Sequence, residues 1–164
     1  MKPMLCKSDL HKFRNKTKGK TFVSEKLDGV RCLARIAEDG VTYWSRNGKQ
    51  FDNFGVFSDA LLHAFQSFGL VIWVDGEVCM KGGRDFSKVM TQLRRIHDVD
   101  PSEFMFHIFD VIDPTVDMVL EDRLEWLIQA YQPLVGADNI QLVDHIHLKK
   151  PWSLEWVQDW ATDV

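Results

Sequence analysis

The 164-residue sequence predicts an α+β fold, and three observations carry that reading. Strand-like and helix-like segments follow one another irregularly rather than in a βαβ rhythm. Two β-rich runs are joined by Glu38-Asp39-Gly40, a hairpin signal that makes at least one strand pair antiparallel. Eleven Phe and six Trp supply enough bulk to fill the core of one domain.

Taken in order, residues 7–20 are polar and basic and read as a loop. A strand is expected over 21–26, a second over 30–36 and a third over 41–46, the last two flanking the hairpin turn. The stretch 57–69 predicts a helix capped by Ser58, with Leu61, Phe65 and Phe68 on one face and Gly69 as its stop. Residues 70–80 are β-rich, with a break expected at Asp75-Gly76. A helix over 85–97 would be capped by Ser87 and turn Val89, Leu93 and Ile96 inward. The aromatic and branched run 103–112 reads as a buried strand. An amphipathic helix over 117–131 would be capped by Asp117 and carry Leu120, Leu124, Leu127 and Tyr131 as its stripe. A strand over 139–146 and a helix opening at Ser153, with Trp156, Val157 and Trp160, complete the chain.

Composition narrows the function classes. The apolar runs are far too short to span a bilayer, and no signal peptide is visible, so a cytoplasmic protein without a membrane partner is expected. Cys6, Cys32 and Cys79 are odd in number and lack CxxC spacing, which argues against a disulfide framework or a zinc site. The net charge of −4 conceals an asymmetry. Residues 1–35 hold ten Lys/Arg against three Asp/Glu, and the remainder holds ten against twenty-one. A basic N-terminal part suits a polyanion such as a nucleotide or nucleic acid, although a solvated basic face has the same composition.

Some motifs mislead. Gly19-Lys20-Thr21 resembles the end of a phosphate-binding loop, but Arg14 stands where the first glycine must be. His145 and His147 have the spacing to share a metal on a strand, yet no third ligand is evident, and structural histidines are expected. Lys81-Gly82-Gly83 reads as a turn.

Four short segments carry the chemistry: 25–31 (EKLDGVR), 45–49 (SRNGK), 75–78 (DGEV) and 109–112 (FDVI). Each is weak alone; their order and spacing together are not. A lysine attacks phosphorus only when neutral. Its ordinary pKa of about 10.4 must therefore be lowered by desolvation or a nearby cation, a role open to Arg31 or a bound metal. Glu77 offers a carboxylate for ribose hydroxyls, Phe109 a face for a base, and Arg46 a planar fork for phosphate.

Lys26-x-Asp28-Gly29-x-Arg31 resembles motif I of the covalent nucleotidyltransferases, which include ATP-dependent DNA ligases, RNA ligases and mRNA-capping enzymes. Ser45-Arg46 is similar to motif Ia, Asp75-Gly76-Glu77 to motif III and Phe109-Asp110 to motif IIIa. The lead-in PMLCKS at 3–8 resembles that of ATP-dependent DNA ligases, and the likeness to small viral and phage ligases runs over nearly the whole chain. The resemblance implies an antiparallel two-sheet nucleotidyltransferase (adenylation) core with flanking helices, an ATP substrate, Mg2+, nicked double-stranded DNA as partner, and a monomer. Lys26 would take AMP from ATP. Arg31 would contact the nucleotide and the 5′-phosphate, Arg46 would bind the 5′-phosphate of the nick, Glu77 would hold the ribose, and Phe109 would stack on adenine. Ser24 and Glu25 would flank the adenylate. Ser24 stands where many ligases place a glutamate that reads the adenine amino group. Asp28, with Glu77, would position a metal or the reacting 3′-hydroxyl.

Motifs IV and V and the OB-fold that clamps DNA in this family are not found in the 164 residues; Lys149-Lys150 lacks the K-x-K spacing of motif V. The expectation is therefore a partial adenylation domain over 1–164 that seals nicks poorly. An RNA ligase, a capping guanylyltransferase or a non-catalytic nucleic-acid-binding remnant stay open as alternatives.

Overall fold

Glycine-terminated hairpins and long branched strands build most of this protein. A computed structural model describes residues 20–65, 67–68, 71–82, 86–94 and 100–148. In chain order the strands are β1 (Thr21–Val23), β2 (Val30–Ala37), β3 (Gly40–Ser45), β4 (Gln50–Phe51), β5 (Val71–Met80), β6 (Phe104–Ile112), β7 (Ile140–Leu142) and β8 (Ile146–Leu148). The helices are α1 (Ser58–Phe65), α2 (Phe86–Arg94) and α3 (Leu120–Tyr131). The chain divides into two compact units, one of residues 1–26 with 143–164 and one of residues 27–142.

In the first unit β1 and β8 form a two-stranded antiparallel sheet, Phe22 opposite His147. Those two rings lie 5.2 Å apart, and His145 Nδ1 bonds the Val143 carbonyl at 3.0 Å. Both histidines of the HxH pattern are thus engaged in local packing and bonding, as expected.

The second unit is a six-stranded sheet in the order β4-β3-β2-β5-β6-β7. All neighbours are antiparallel except β6 and β7, which run parallel. Strand β2 shows why it is central. Val30, Cys32, Ala34 and Ile36 point to one face and are buried in the main core, a period-two pattern of small and branched side chains. The intervening Arg31 and Arg35 remain partly exposed. The core face receives Leu61, Ala64 and Phe65 of α1, Val89 of α2, and Leu127 and Ala130 of α3. Phe54 meets Phe104 edge-on at 5.4 Å and Phe57 meets Phe106 at the same separation, so aromatic contacts join the loop before α1 to β6. Burial of this order removes about 2 kcal/mol of exposure penalty per large apolar side chain.

Several local expectations change. Strand β1 stops at Val23, so residues 24–28 have no regular structure, although exposure still alternates: Ser24, Lys26 and Asp28 are exposed while Glu25 and Leu27 are half-buried. Ser58 does not cap α1. A 3₁₀ turn over 55–57 runs into the helix, and the Ser58 hydroxyl lies 3.0 Å from the Tyr43 hydroxyl. Ser87 lies inside the first turn of α2, where its carbonyl accepts from Thr91. Asp117 is not a cap either, since α3 starts after Val119 without a side-chain cap. The stretch 139–146 is not one strand. It supplies β7 to the large sheet and, after three residues without regular structure, the start of β8 in the small one. The expected break at Asp75-Gly76 is a register shift inside a continuous β5. The basic loop, Cys6, Gly69, Ile96 and the helix from Ser153 lie outside the described residues. Among the described residues no helix is long and apolar enough to cross a membrane.

Candidate nucleotide-binding site

The glycine of motif I is required by crowding. Gly29 precedes β2 where β5 runs close by, and a Cβ there would lie 2.7 Å from Cys79 Sγ and 2.9 Å from Glu77 Cγ. Because the backbone can approach, the Gly29 N–H donates to Glu77 Oε1 at 3.2 Å. The register sets Arg31 opposite Glu77 on one face of the sheet. Arg31 and Glu77 are therefore fixed by strand pairing, and Gly29 by its bond to Glu77.

Arg31 is clamped. Its Nε and Nη2 donate to Oδ1 and Oδ2 of Asp75, each at 2.6 Å, the fork-on-fork geometry of a planar guanidinium on a carboxylate. Its Cζ lies 4.5 Å from the centroid of the Phe109 ring, a cation–π contact worth about 0.5–2 kcal/mol. Burial opposes the charged guanidinium, but the Asp75 bonds and the charges of Asp75, Glu77 and Asp110 outweigh it and raise its pKa. Burial raises the Asp75 carboxyl above its ordinary range, and Arg31 pulls it part of the way back. Arg31, expected as a cation near the lysine, thus has its charge matched by Asp75.

Phe109 owes its position to a bulge. Asp75 faces Asp110 and Gly76 faces Ile108, so Phe109 is the extra residue of β6. Such insertions re-aim side chains beside functional sites. Asp110, buried, is held from the other side by α3: Arg123 Nε and Nη2 donate to Oδ1 and Oδ2 at 2.8 and 3.0 Å, and Arg123 Nη1 donates to the Met118 carbonyl at 2.7 Å. Arg123 was not anticipated from the sequence. The available signal was Asp110 itself, since a carboxylate inside so apolar a strand requires a cation.

Arg46 falls just past β3, at the tip of the β3–β4 hairpin. The Ser45 N–H donates to the Lys49 carbonyl at 2.7 Å, the Gly48 N–H to the Ser45 carbonyl at 2.9 Å, and the Lys49 N–H to Ser45 Oγ at 2.9 Å. Gly48 sits at φ 78°, the left-handed region that glycine tolerates. The SRNGK pattern is thus a turn whose serine and glycine fix the backbone that presents Arg46.

These segments meet in a cleft of about 640 Å³, lined by Gly29, Arg31, Ser45, Arg46 and Glu77 together with part of α2. Phe109 is not among its lining residues; it lies against Arg31. Lys26 is exposed and ends the first unit, while Asp28 is exposed and belongs to the second. Ser24 and Glu25 belong with Lys26. Among the described residues no group of three or more His, Cys, Asp or Glu side chains is placed to hold a metal.

No curated protein matches the sequence. Among solved structures, Chlorella virus DNA ligase-adenylate superposes with a TM-score of 0.66 at 18% identity, covering 99% of this chain and 55% of that one. The ATP-dependent DNA ligase of bacteriophage T7, in complex with ATP, gives 0.63 at 15% identity, covering 87% and 52%. The chain thus spans about half the length of these ligases, and at such identities the likeness is one of fold. It is the two-sheet nucleotidyltransferase fold that the motif order implies. Residues 3–163 match the family model described as the ATP dependent DNA ligase domain, and the chain belongs to that family.

Proposed function

We propose that this chain performs the nucleotide transfer of an ATP-dependent DNA ligase, with ATP and nicked double-stranded DNA as substrates. The observation that supports it is the convergence of three motif segments, far apart in sequence, on one cleft: Gly29 and Arg31, Ser45 and Arg46, and Glu77. In this reading Lys26 Nζ attacks the α-phosphorus of ATP. A P–N bond forms, the bond from the α-phosphorus to the bridging oxygen breaks, and pyrophosphate leaves. The AMP then passes to the 5′-phosphate held by Arg46, and the 3′-hydroxyl displaces AMP to close the strand. Glu77, with one oxygen on the Gly29 N–H, holds the ribose hydroxyls in this reading. Arg31 covers one face of Phe109, so adenine takes the other. Ser24 and Glu25 border the adenylate.

Mg2+ fits this residue set. It binds through one or two carboxylates plus substrate phosphates, so it needs no three-carboxylate cage. Asp28 and Glu77 are the carboxylates that would hold it, and when bound it neutralises charge on the phosphates. The same reading makes the protein a cytoplasmic monomer.

Intact-mass measurement after incubation with Mg2+ and each nucleoside triphosphate tests the proposal. ATP should add the mass of one adenylate, and Lys26→Ala should abolish the gain. Labelling by GTP instead, or no labelling at all, would sink it.

A further inference from the structure

We infer that Lys49 is a second phosphate-binding residue of the cleft, gripping a phosphodiester of the nucleic-acid strand that Arg46 engages; this rests on the ligase reading above. Lys49 closes the same turn that presents Arg46, and both side chains are exposed and line the cleft. The turn is closed by three hydrogen bonds between Ser45 and residues 48–49, so the two cations are carried on one fixed frame.

Their lack of partners among the described residues is the telling feature. Arg31, Arg35 and Arg123 are each paired with a carboxylate, at 2.6, 2.9 and 2.8 Å. Among the described residues neither Arg46 nor Lys49 has a side-chain hydrogen bond or an ion pair, although Asp52 and Glu77 line the same cleft. Two positive charges on one turn, without a carboxylate partner among the described residues, suit an anion.

The apolar part of the lining narrows the anion. Helix α2 contributes Phe86, Met90 and Leu93 to the lining, and Phe86 is 46% exposed. The lining thus joins two exposed cations to apolar side chains, with Asp52 and Glu77 as its carboxylates. A nucleic-acid backbone alternates phosphates with apolar sugar faces and suits both kinds of lining residue. The triphosphate tail of ATP shares the phosphate chemistry but offers nothing to the apolar side chains.

The test is binding of a nicked duplex by the 164-residue chain, followed by fluorescence anisotropy over 50–200 mM salt. Loss of one phosphate contact lowers the slope of log K against log salt by about 0.9. Lys49→Gln is expected to do this, Lys49→Arg to keep the slope, and Arg35→Gln, whose guanidinium is paired with Asp39, to leave it unchanged. An unchanged slope in Lys49→Gln overturns the inference. So does a raised ATP requirement for self-adenylation in Lys49→Gln with no change in DNA slope, which would assign the lysine to the triphosphate. Failure of the wild-type chain to bind nicked duplex at 50 mM salt overturns it as well. Adenylation of the wild-type chain by ATP, measured in parallel, separates these failures from failure of the ligase reading itself.

Discussion

Arg31 sits between a carboxylate and an aromatic ring, and its removal has an asymmetric consequence. Asp75 keeps only 3% of its side-chain surface exposed, so without the guanidinium it becomes a buried, unmatched charge. Breaking such a pair from one side costs about 3 kcal/mol. Arg31→Met should therefore lose about 3 kcal/mol at pH 7 by urea denaturation. The pH dependence has a definite sign. Burial already raises the folded-state pKa of Asp75, and loss of Arg31 raises it further. A group whose folded pKa lies above its unfolded value contributes stability that is present below the unfolded value, about 3.9, and is lost as pH rises through the folded one. The deficit of Arg31→Met relative to wild type should accordingly shrink between pH 7 and pH 4. A deficit that is constant or grows on acidification would contradict this account. At this scale the site was partly legible. Motif order pointed to Arg31, Glu77 and Phe109, but no spacing rule tells that Asp75 and Phe109 would occupy the guanidinium. Those contacts arise from strand register, which lies beyond any local pattern.

At the scale of elements, the sheet shows which signals were reliable. Strands β2 and β3 and the turn between them were legible because period-two burial and Asp39-Gly40 agree; Gly40 has φ 114°, as that turn requires. Helix caps were not legible at Ser58 and Asp117. A 3₁₀ turn precedes α1, and α3 begins three residues after Asp117, so side-chain preference lost to tertiary packing. Asp75-Gly76 reads as a break because the dipeptide is common in turns, yet here the glycine serves close approach. A Cβ on Gly76 would lie 2.6 Å from Phe106 Cε2 and also strike the His107 carbonyl. Carbonyl backbone in a central strand cannot move aside. Gly76→Ala should thus destabilise by about 1–3 kcal/mol, or prevent folding, through overpacking. Gly40→Ala meets nothing within 4 Å and carries only backbone strain, about 1 kcal/mol. Thermal melts of the two variants check the order: Gly76→Ala must melt lower than Gly40→Ala, and the reverse order would remove the packing explanation.

At the scale of the molecule, residues 27–142 form a unit with a core of its own. It holds the six-stranded sheet, all three described helices and the buried cluster from Val30 to Ile140. The described sheet of the other unit is β1 with β8, and a lone two-stranded sheet is marginal in water. Large buried side chains such as Phe54, Phe57, Phe65, Phe104 and Phe106, each worth about 2–3 kcal/mol, all belong to 27–142. A chain of residues 27–142 should fold alone and unfold in one cooperative transition, with matching midpoints by far-ultraviolet circular dichroism and tryptophan fluorescence. Shortening it to 27–119 removes α3 and β7. That strips Leu127, Ala130, Leu134 and Ile140 from the core and takes away the Arg123 partner of buried Asp110, so this shorter chain should show no cooperative transition. If 27–142 melts without cooperativity while the 164-residue chain melts sharply, the core does not belong to that unit alone. The segments 1–26 and 143–164 would then contribute to folding.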